Sequence, residues 1–205
     1  MTRDDVEIIE APVVYDGYAQ VKRVRLRHAL HAGGMGAAID REMVERGHAV
    51  GVLPYDPARD AVALIRQFRV GAWGAGDDPW LVETVAGIVD EGESAEDVAR
   101  REAVEEAGCE IGALMRICAY YPSPGILTER IALYCGIADL GAVGGIHGLG
   151  HEGEDIEAFV LPYEDAVRGM DEGRILDAKI VIALQWLAAR RDGLRRRFGP
   201  AQRGL

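Results

Sequence analysis

At 205 residues and 49% hydrophobic content, the chain can bury a full core in one domain, or in one domain with a smaller appendage. A formal charge of −11 argues against nucleic acid as the main partner, because that affinity depends on Lys and Arg neutralising phosphates. No apolar run approaches the roughly 18 residues of a bilayer span, and the charged opening MTRDDVEIIE lacks the hydrophobic stretch of a secretory leader, so a cytoplasmic protein without a membrane partner is expected.

In chain order, the partial alternation of VVYDGYAQVKRVRLRHAL predicts two strands around the turn at Asp16-Gly17. HAVGVLPYDPARDAVALIRQFRV predicts a hairpin turning at Asp56 to Asp60. PWLVETVAGIV reads as one strand, residues 94–107 as a helix, and residues 113–121 and 129–138 as strands. The glycine-rich, aperiodic GAVGGIHGLGHEGED reads as a mobile loop. IEAFVLPY then reads as a strand, Glu164 to Asp171 as a short helix, and DAKIVIALQWLAARRDGL as one longer helix. Two β-rich pieces thus precede a mixed α/β piece, with a seam near residue 45. Cys109, Cys118 and Cys135 show neither paired nor C-x-x-C spacing and read as buried free thiols. The basic runs VKRVRLRH and RRDGLRRRFGPAQRG read as solvated faces.

The helix is the informative element. Ser94 can cap it, Asp97 gives a near capping box, and Gly108 supplies a left-handed stop. At about 100° per residue, Ala95, Val98, Ala99, Glu102, Ala103 and Glu106 share one stripe. Glu96 and Asp97 fit an ordinary solvated face, but two core-facing glutamates one turn apart are costly unless a cation neutralises them. Hard divalent cations with oxygen ligands, Mg²⁺ above all, do so, using a few carboxylates plus substrate phosphates.

Gly87, Glu93, Arg101, Glu102, Glu105, Glu106 and Gly108 fill every fixed position of G-x5-E-x7-R-E-U-x-E-E-x-G-U, with Ala103 and Cys109 in the two aliphatic slots. Through them the chain resembles the Nudix hydrolases. GYAQVKRVRLRH, ERGHAVGVLPYDPARD, PWLVETVAGIVDEGES, SPGILTER, GGIHGLGHEGEDI and VIALQWL extend the likeness to the ADP-ribose pyrophosphatase branch, and the Pro124-Gly125 pair most separates that branch from other groups. ILT at 126–128 departs from the small polar residues of close relatives.

The resemblance implies an α+β protein: an α/β/α sandwich Nudix fold with a mixed sheet over residues 46–205, and a small N-terminal antiparallel β domain over 1–45, exchanged in a homodimer. It implies two or three Mg²⁺ ions, with Mn²⁺ a possible substitute, held by Glu102, Glu105, Glu106, the carbonyl of Ala86 and, on loop closure, Glu154. Glu93 and Gly87 would support that site, Arg101 would orient the glutamates, and Glu152 would be the general base. Tyr18 would stack on adenine, Arg41 of the partner and Arg69 would contact nucleotide and diphosphate, and Glu129 would accept from substrate hydroxyls. Read without the resemblance, Tyr18 is a packing aromatic, Arg41 and Arg69 are surface cations, and HEGED is a solvated acidic loop; His151 has no assigned role. The implied substrate is ADP-ribose, cleaved to AMP and ribose 5-phosphate. GDP-mannose or ADP-glucose is the alternative among enzymes, and a non-catalytic ADP-ribose sensor the alternative outside them.

Overall fold

The computed structural model describes residues 1–150 and 153–199, and the chain divides into two compact units. The protein is α+β, with one small antiparallel sheet and one larger mixed sheet. Among the described residues no helix is long and apolar enough to cross a membrane.

The first unit is Met1–His48 together with Tyr120–Arg130. Its strands are β1 (Val6–Glu10), β2 (Val13–Asp16), β3 (Gln20–His28) and β4 (Ile39–Glu45). β2 and β3 are the two strands expected around Asp16-Gly17. β3 pairs antiparallel with the other three, taking β4 along Gln20 to Leu26 and sharing its remaining edge between β1 and β2. The distant 120–130 segment joins through β4: Val44 N–H donates to the Ile126 carbonyl at 2.9 Å, and Thr128 N–H to the Val44 carbonyl at 3.1 Å. This sheet leaves much apolar surface bare, with Ile8 55%, Val14 55% and Tyr15 61% exposed, whereas Val24 is buried.

The second unit carries β5 (His48–Asp56), β6 (Ala61–Phe68), α1 (Val70–Ala75), β7 (Trp80–Glu83), β8 (Val85–Val89), α2 (Ala95–Ala107), β9 (Leu114–Tyr120), β10 (Ile131–Ile137), β11 (Gly145–His147), β12 (Ile156–Pro162), α3 (Tyr163–Asp171), α4 (Ala178–Ala188) and α5 (Arg191–Phe198). β5 and β6 form the expected hairpin, but they pair directly only beside the turn, at Tyr55–Val62 and Asp56–Ala61. Beyond that they splay. β7 pairs with β6 and β8 with β5, so the single strand expected over 79–89 is split at Thr84, which is buried and whose hydroxyl donates to the Val52 carbonyl. β10 runs parallel to β5, and β12 antiparallel to β6, which makes the sheet mixed.

Alternation sorts the side chains to two faces. Ala61, Ala63 and Ile65 of β6 join Val50, Val52 and Val85 against Val98, Ala99, Ala103 and Ala107 of α2. Val62 and Leu64 point the other way, and α4 buries Ile180, Ala183, Leu184 and Leu187. The expected long helix over 177–194 is interrupted at Ala189 and Arg190, where Arg190 leaves the helical conformation before α5 starts. The reason is tertiary: Arg191 stacks 4.2 Å from the Tyr163 ring centre and pairs with Glu164 and Asp60. Asp60 is an unusual hub, held at φ 55°, accepting from the Tyr55 hydroxyl at 2.8 Å and from Arg191 Nε at 2.8 Å, and ion-paired with Arg195 at 3.1 Å.

Removing that carboxylate orphans the buried Tyr55 hydroxyl and takes from Arg191 and Arg195 their shared partner, leaving Arg191 with Glu164 alone. Asp60→Ala is therefore expected to lower unfolding free energy by about 3 kcal/mol in denaturant titration. A change under about 0.5 kcal/mol would show that the hub is a surface ornament.

Candidate active site

α2 begins and ends as its sequence dictates. Ser94 Oγ accepts from the Asp97 N–H at 3.1 Å, and Gly108 takes the left-handed conformation at φ 57° that stops the helix. The small residues Ala99, Ala103 and Ala107 let the helix lie close over the sheet, and the same face carries Glu102 and Glu106. Against them runs β8. Gly87 lies so close to α2 that a methyl group at that position would run into the Glu102 side chain, so any other residue there would displace that carboxylate from its present place.

Glu106 is 3% exposed and accepts the Ala86 N–H at 3.0 Å. Burial pushes its carboxyl up to about 8: the Ala86 bond opposes the rise, the charges of Glu102 and Glu154 add to it, and Arg69 counteracts part. Burial likewise lifts Glu102 to about 7, with Arg101 opposing and Glu105 and Glu154 adding. Arg101 is the local counter-charge, 3.0 Å from both Glu102 and Glu105 and 3.6 Å from Glu93. Three fixed residues of the motif thus meet at one guanidinium.

Glu154 is part of this group. Its carboxylate accepts the Leu149 N–H at 3.1 Å, and its charge reaches both helix glutamates. The segment before it makes regular contacts: Gly145–His147 pairs with β12, and the Gly148 N–H donates to the Glu105 carbonyl at 3.3 Å. Glu152 and His151 lie outside the described residues.

The donor set suits a hard divalent cation. Desolvated carboxylates sharing a site, with pKa values raised by burial and by one another, gain more from a cation than from protons at neutral pH. Glu102, Glu105, Glu106 and Glu154 are the residues that could hold it. Among the described residues no three such groups already converge at coordination distance, since Glu102 and Glu105 are tied to Arg101 and Glu106 to Ala86. Binding would require those carboxylates to exchange partners.

Arg69 stands at the start of α1 and is 2.6 Å and 3.0 Å from the two oxygens of Glu83. Lys179 approaches the same carboxylate at 3.1 Å. Sequence reasoning missed Glu83 and Lys179: a single acid in an apolar strand and a single lysine in an apolar helix belong to no recurring pattern. Gln67 was missed for the same reason; it is 7% exposed, and its side-chain N–H₂ has no partner among the described residues.

Tyr18, Arg41 and Glu129 belong to the first unit. Tyr18 is 82% exposed and free to stack. Arg41 lines a cavity of about 420 Å³ with Arg23, Asp40, Glu42, Gly125 and Ile126, and Ile126 is the departure from small polar residues seen in the sequence. Glu129 is 6% exposed with Arg46 3.6 Å away, a loose partner for a buried carboxylate.

Comparison with known proteins supplies the family. Residues 45–184 match the NUDIX domain. The ADP-ribose pyrophosphatase of Escherichia coli K12 is 45% identical over 193 residues, covering 94% of this chain and 92% of that protein. The GDP-mannose pyrophosphatase of Cronobacter sakazakii is 35% identical over 187 residues, covering 91% and 96%. A solved structure described as an ADP compounds hydrolase superposes with a TM-score of 0.68 at 19% identity, covering 91% and 96%, and shares the fold.

In the metal-free protein Glu102 and Glu106 bind protons more tightly folded than unfolded. Their protonation therefore stabilises the fold at low pH, and that contribution is lost as pH rises from about 4.5 through about 7 and about 8. Magnesium should raise the melting temperature little at pH 6, where it must displace protons, and by on the order of 5 °C or more at pH 8.5. Equal stabilisation at both values would remove these two carboxyls from the metal site.

Proposed function

Since this chain belongs to the Nudix hydrolase family, we propose that it hydrolyses the diphosphate of ADP-ribose, giving AMP and ribose 5-phosphate. The observation that carries the reading is the pair of desolvated carboxylates, Glu102 and Glu106, on the buried face of α2. Such a pair is costly to fold around and is suited to an anionic substrate only in company with a cation.

Divalent metal ions, of which Mg²⁺ is the expected one and Mn²⁺ a substitute, would be held by Glu102, Glu105, Glu106, Glu154 and the Ala86 carbonyl, two or three ions in all. Bound there, they would neutralise the diphosphate and acidify water. The chain's own residues supply the rest. Arg101 holds Glu102 and Glu105 in place until substrate arrives, and Glu93 in turn holds Arg101. Arg69 brings positive charge to the diphosphate, and the same charge opposes the upward push of burial on the Glu106 carboxyl. Glu152 takes the proton from the attacking water as general base, and the water adds in line to one phosphorus while the other phosphate leaves.

Homodimerisation through the N-terminal β-unit belongs to the same proposal, and the apolar side chains left bare on that sheet support it. In it Tyr18 stacks on the adenine, Arg41 of the partner subunit meets the nucleotide, and Glu129 accepts from substrate hydroxyls. A second substrate reading, another nucleoside diphosphate sugar such as GDP-mannose, is favoured by the relative of that name at 35% identity. The higher identity, 45%, lies with the ADP-ribose enzymes, and ADP-ribose is preferred for that reason.

Two measurements test this. With Mg²⁺ present, ADP-ribose should give a higher kcat/KM than GDP-mannose or ADP-glucose, and the reverse order would pass the assignment to the rival sugar. Glu106→Gln should lower kcat by about 10³-fold, the scale of several kcal/mol of lost charge stabilisation. Its metal-free melting temperature should stay level or rise, because a neutral amide replaces a carboxyl that burial already disfavours as an anion. Wild-type turnover in this variant would sink the metal assignment.

A further inference from the structure

The environment of Arg69 holds more than one counter-ion. Nε and Nη2 engage the two oxygens of Glu83 at 2.6 Å and 3.0 Å, a two-point fork that fixes the plane of the guanidinium and leaves Nη1 outside it. The Glu83 side chain is 4% exposed, whereas that of Arg69 is 42% exposed. The buried partner therefore acts as the anchor and the exposed one as the presented group.

Glu83 is itself anchored. Lys179 Nζ donates to Glu83 Oε2 at 3.1 Å and to Asp177 Oδ2 at 2.6 Å, and it is 13% exposed. Asp177 caps α4, its other oxygen accepting the Ile180 N–H at 3.0 Å. The lysine reaches Glu83 by running its stem across Gly51 of β5; a Cβ there would lie 3.1 Å from Lys179 Cδ and 3.6 Å from Thr84 Cγ2. A route of ion pairs thus leads from the first turn of α4, under the sheet at a glycine, to the guanidinium that starts α1.

Burial pushes the Glu83 carboxyl up, but the Arg69 hydrogen bonds and the Lys179 charge overcome it, and the group ends below the usual carboxylate range. It is a firm anion. A four-charge cluster with three members largely buried is a poor device for stability, because desolvation cancels most of the attraction and packed apolar groups would serve as well. It is a good device for holding one cation at a set place and angle. Arg69 is close enough to the metal-site carboxylates for Glu106 to act on its charge.

We propose that Glu83, backed by Lys179, is a positioning residue that holds Arg69 in the plane and place from which Nη1 meets the substrate diphosphate. The inference rests on the reading of Arg69 as the diphosphate's cation. Glu83 touches no substrate atom in this scheme and acts only through Arg69. Its removal leaves Arg69 charged and present but free to sample other rotamers, so the loss falls on binding.

The test is steady-state kinetics on ADP-ribose with Mg²⁺ for wild type, Glu83→Gln, Arg69→Lys and the double variant, each with its melting temperature. Glu83→Gln is expected to raise KM about tenfold with kcat within about threefold, the scale of one charge-assisted bond. Arg69→Lys keeps the charge but cannot make the fork, and should raise KM by a similar factor. The double variant should be no worse than the worse single one, because both remove the same positioning. Glu83→Asp keeps a buried anion for Lys179 but draws it back by one methylene, so it should raise KM while holding the melting temperature closer to wild type than Glu83→Gln does. Wild-type KM in Glu83→Gln, Glu83→Asp or Arg69→Lys overturns the proposal, as do multiplicative effects in the double variant or a KM rise that merely tracks lost stability. No wild-type turnover of ADP-ribose overturns the functional reading and the proposal with it; turnover with an indifferent Glu83 overturns the proposal alone.

Discussion

Two carboxylates that resist ionisation, Glu102 and Glu106, set the terms for the catalytic unit. They lie on the buried face of a helix because the helix packs through alanines and because Gly87 leaves room for the Glu102 side chain. A side chain at position 87 would displace the Glu102 carboxylate, and with it the close approach on which the raised pKa values depend. Close packing and unfavourable charge are here one feature.

In a chain of net charge −11, cations are scarce near this centre and each has a defined post. Arg101 gathers Glu93, Glu102 and Glu105 on the helix side. Arg69 stands at the start of α1, held by Glu83, and Lys179 compensates Glu83 from α4. A third group of arginines, around Asp60, does structural work, turning the end of the chain back against the hairpin. Such partly buried, multiply bonded pairs hold direction better than isolated exposed ones, whose attraction is largely screened.

Much of this was legible in the residues. The helix over 94–107, its cap at Ser94, its stop at Gly108 and the inward stripe follow from rules that act within one or two turns, and α2 obeys them. Where the expectations fail, a distant partner has intervened. One strand over 79–89 became two because β5 and β6 splay and Thr84 bonds to Val52. One helix over 177–194 became two because Arg191 is drawn to Asp60, Glu164 and Tyr163. The glycine-rich segment holds a short strand because β12 offers it an edge.

By itself, the sequence determined the chemistry: the types and spacing of the acids from Glu93 to Glu106 set how many carboxylates one helix face can bring together, since helical geometry is local and repeats every 3.6 residues. Only the tertiary structure decided how strongly those acids are perturbed, because desolvation depends on what packs over them. It also decided that Glu83 and Lys179 stand behind Arg69: residues 14 and 110 positions apart from that arginine meet through sheet pairing and helix packing, and no local rule carries information over such separations.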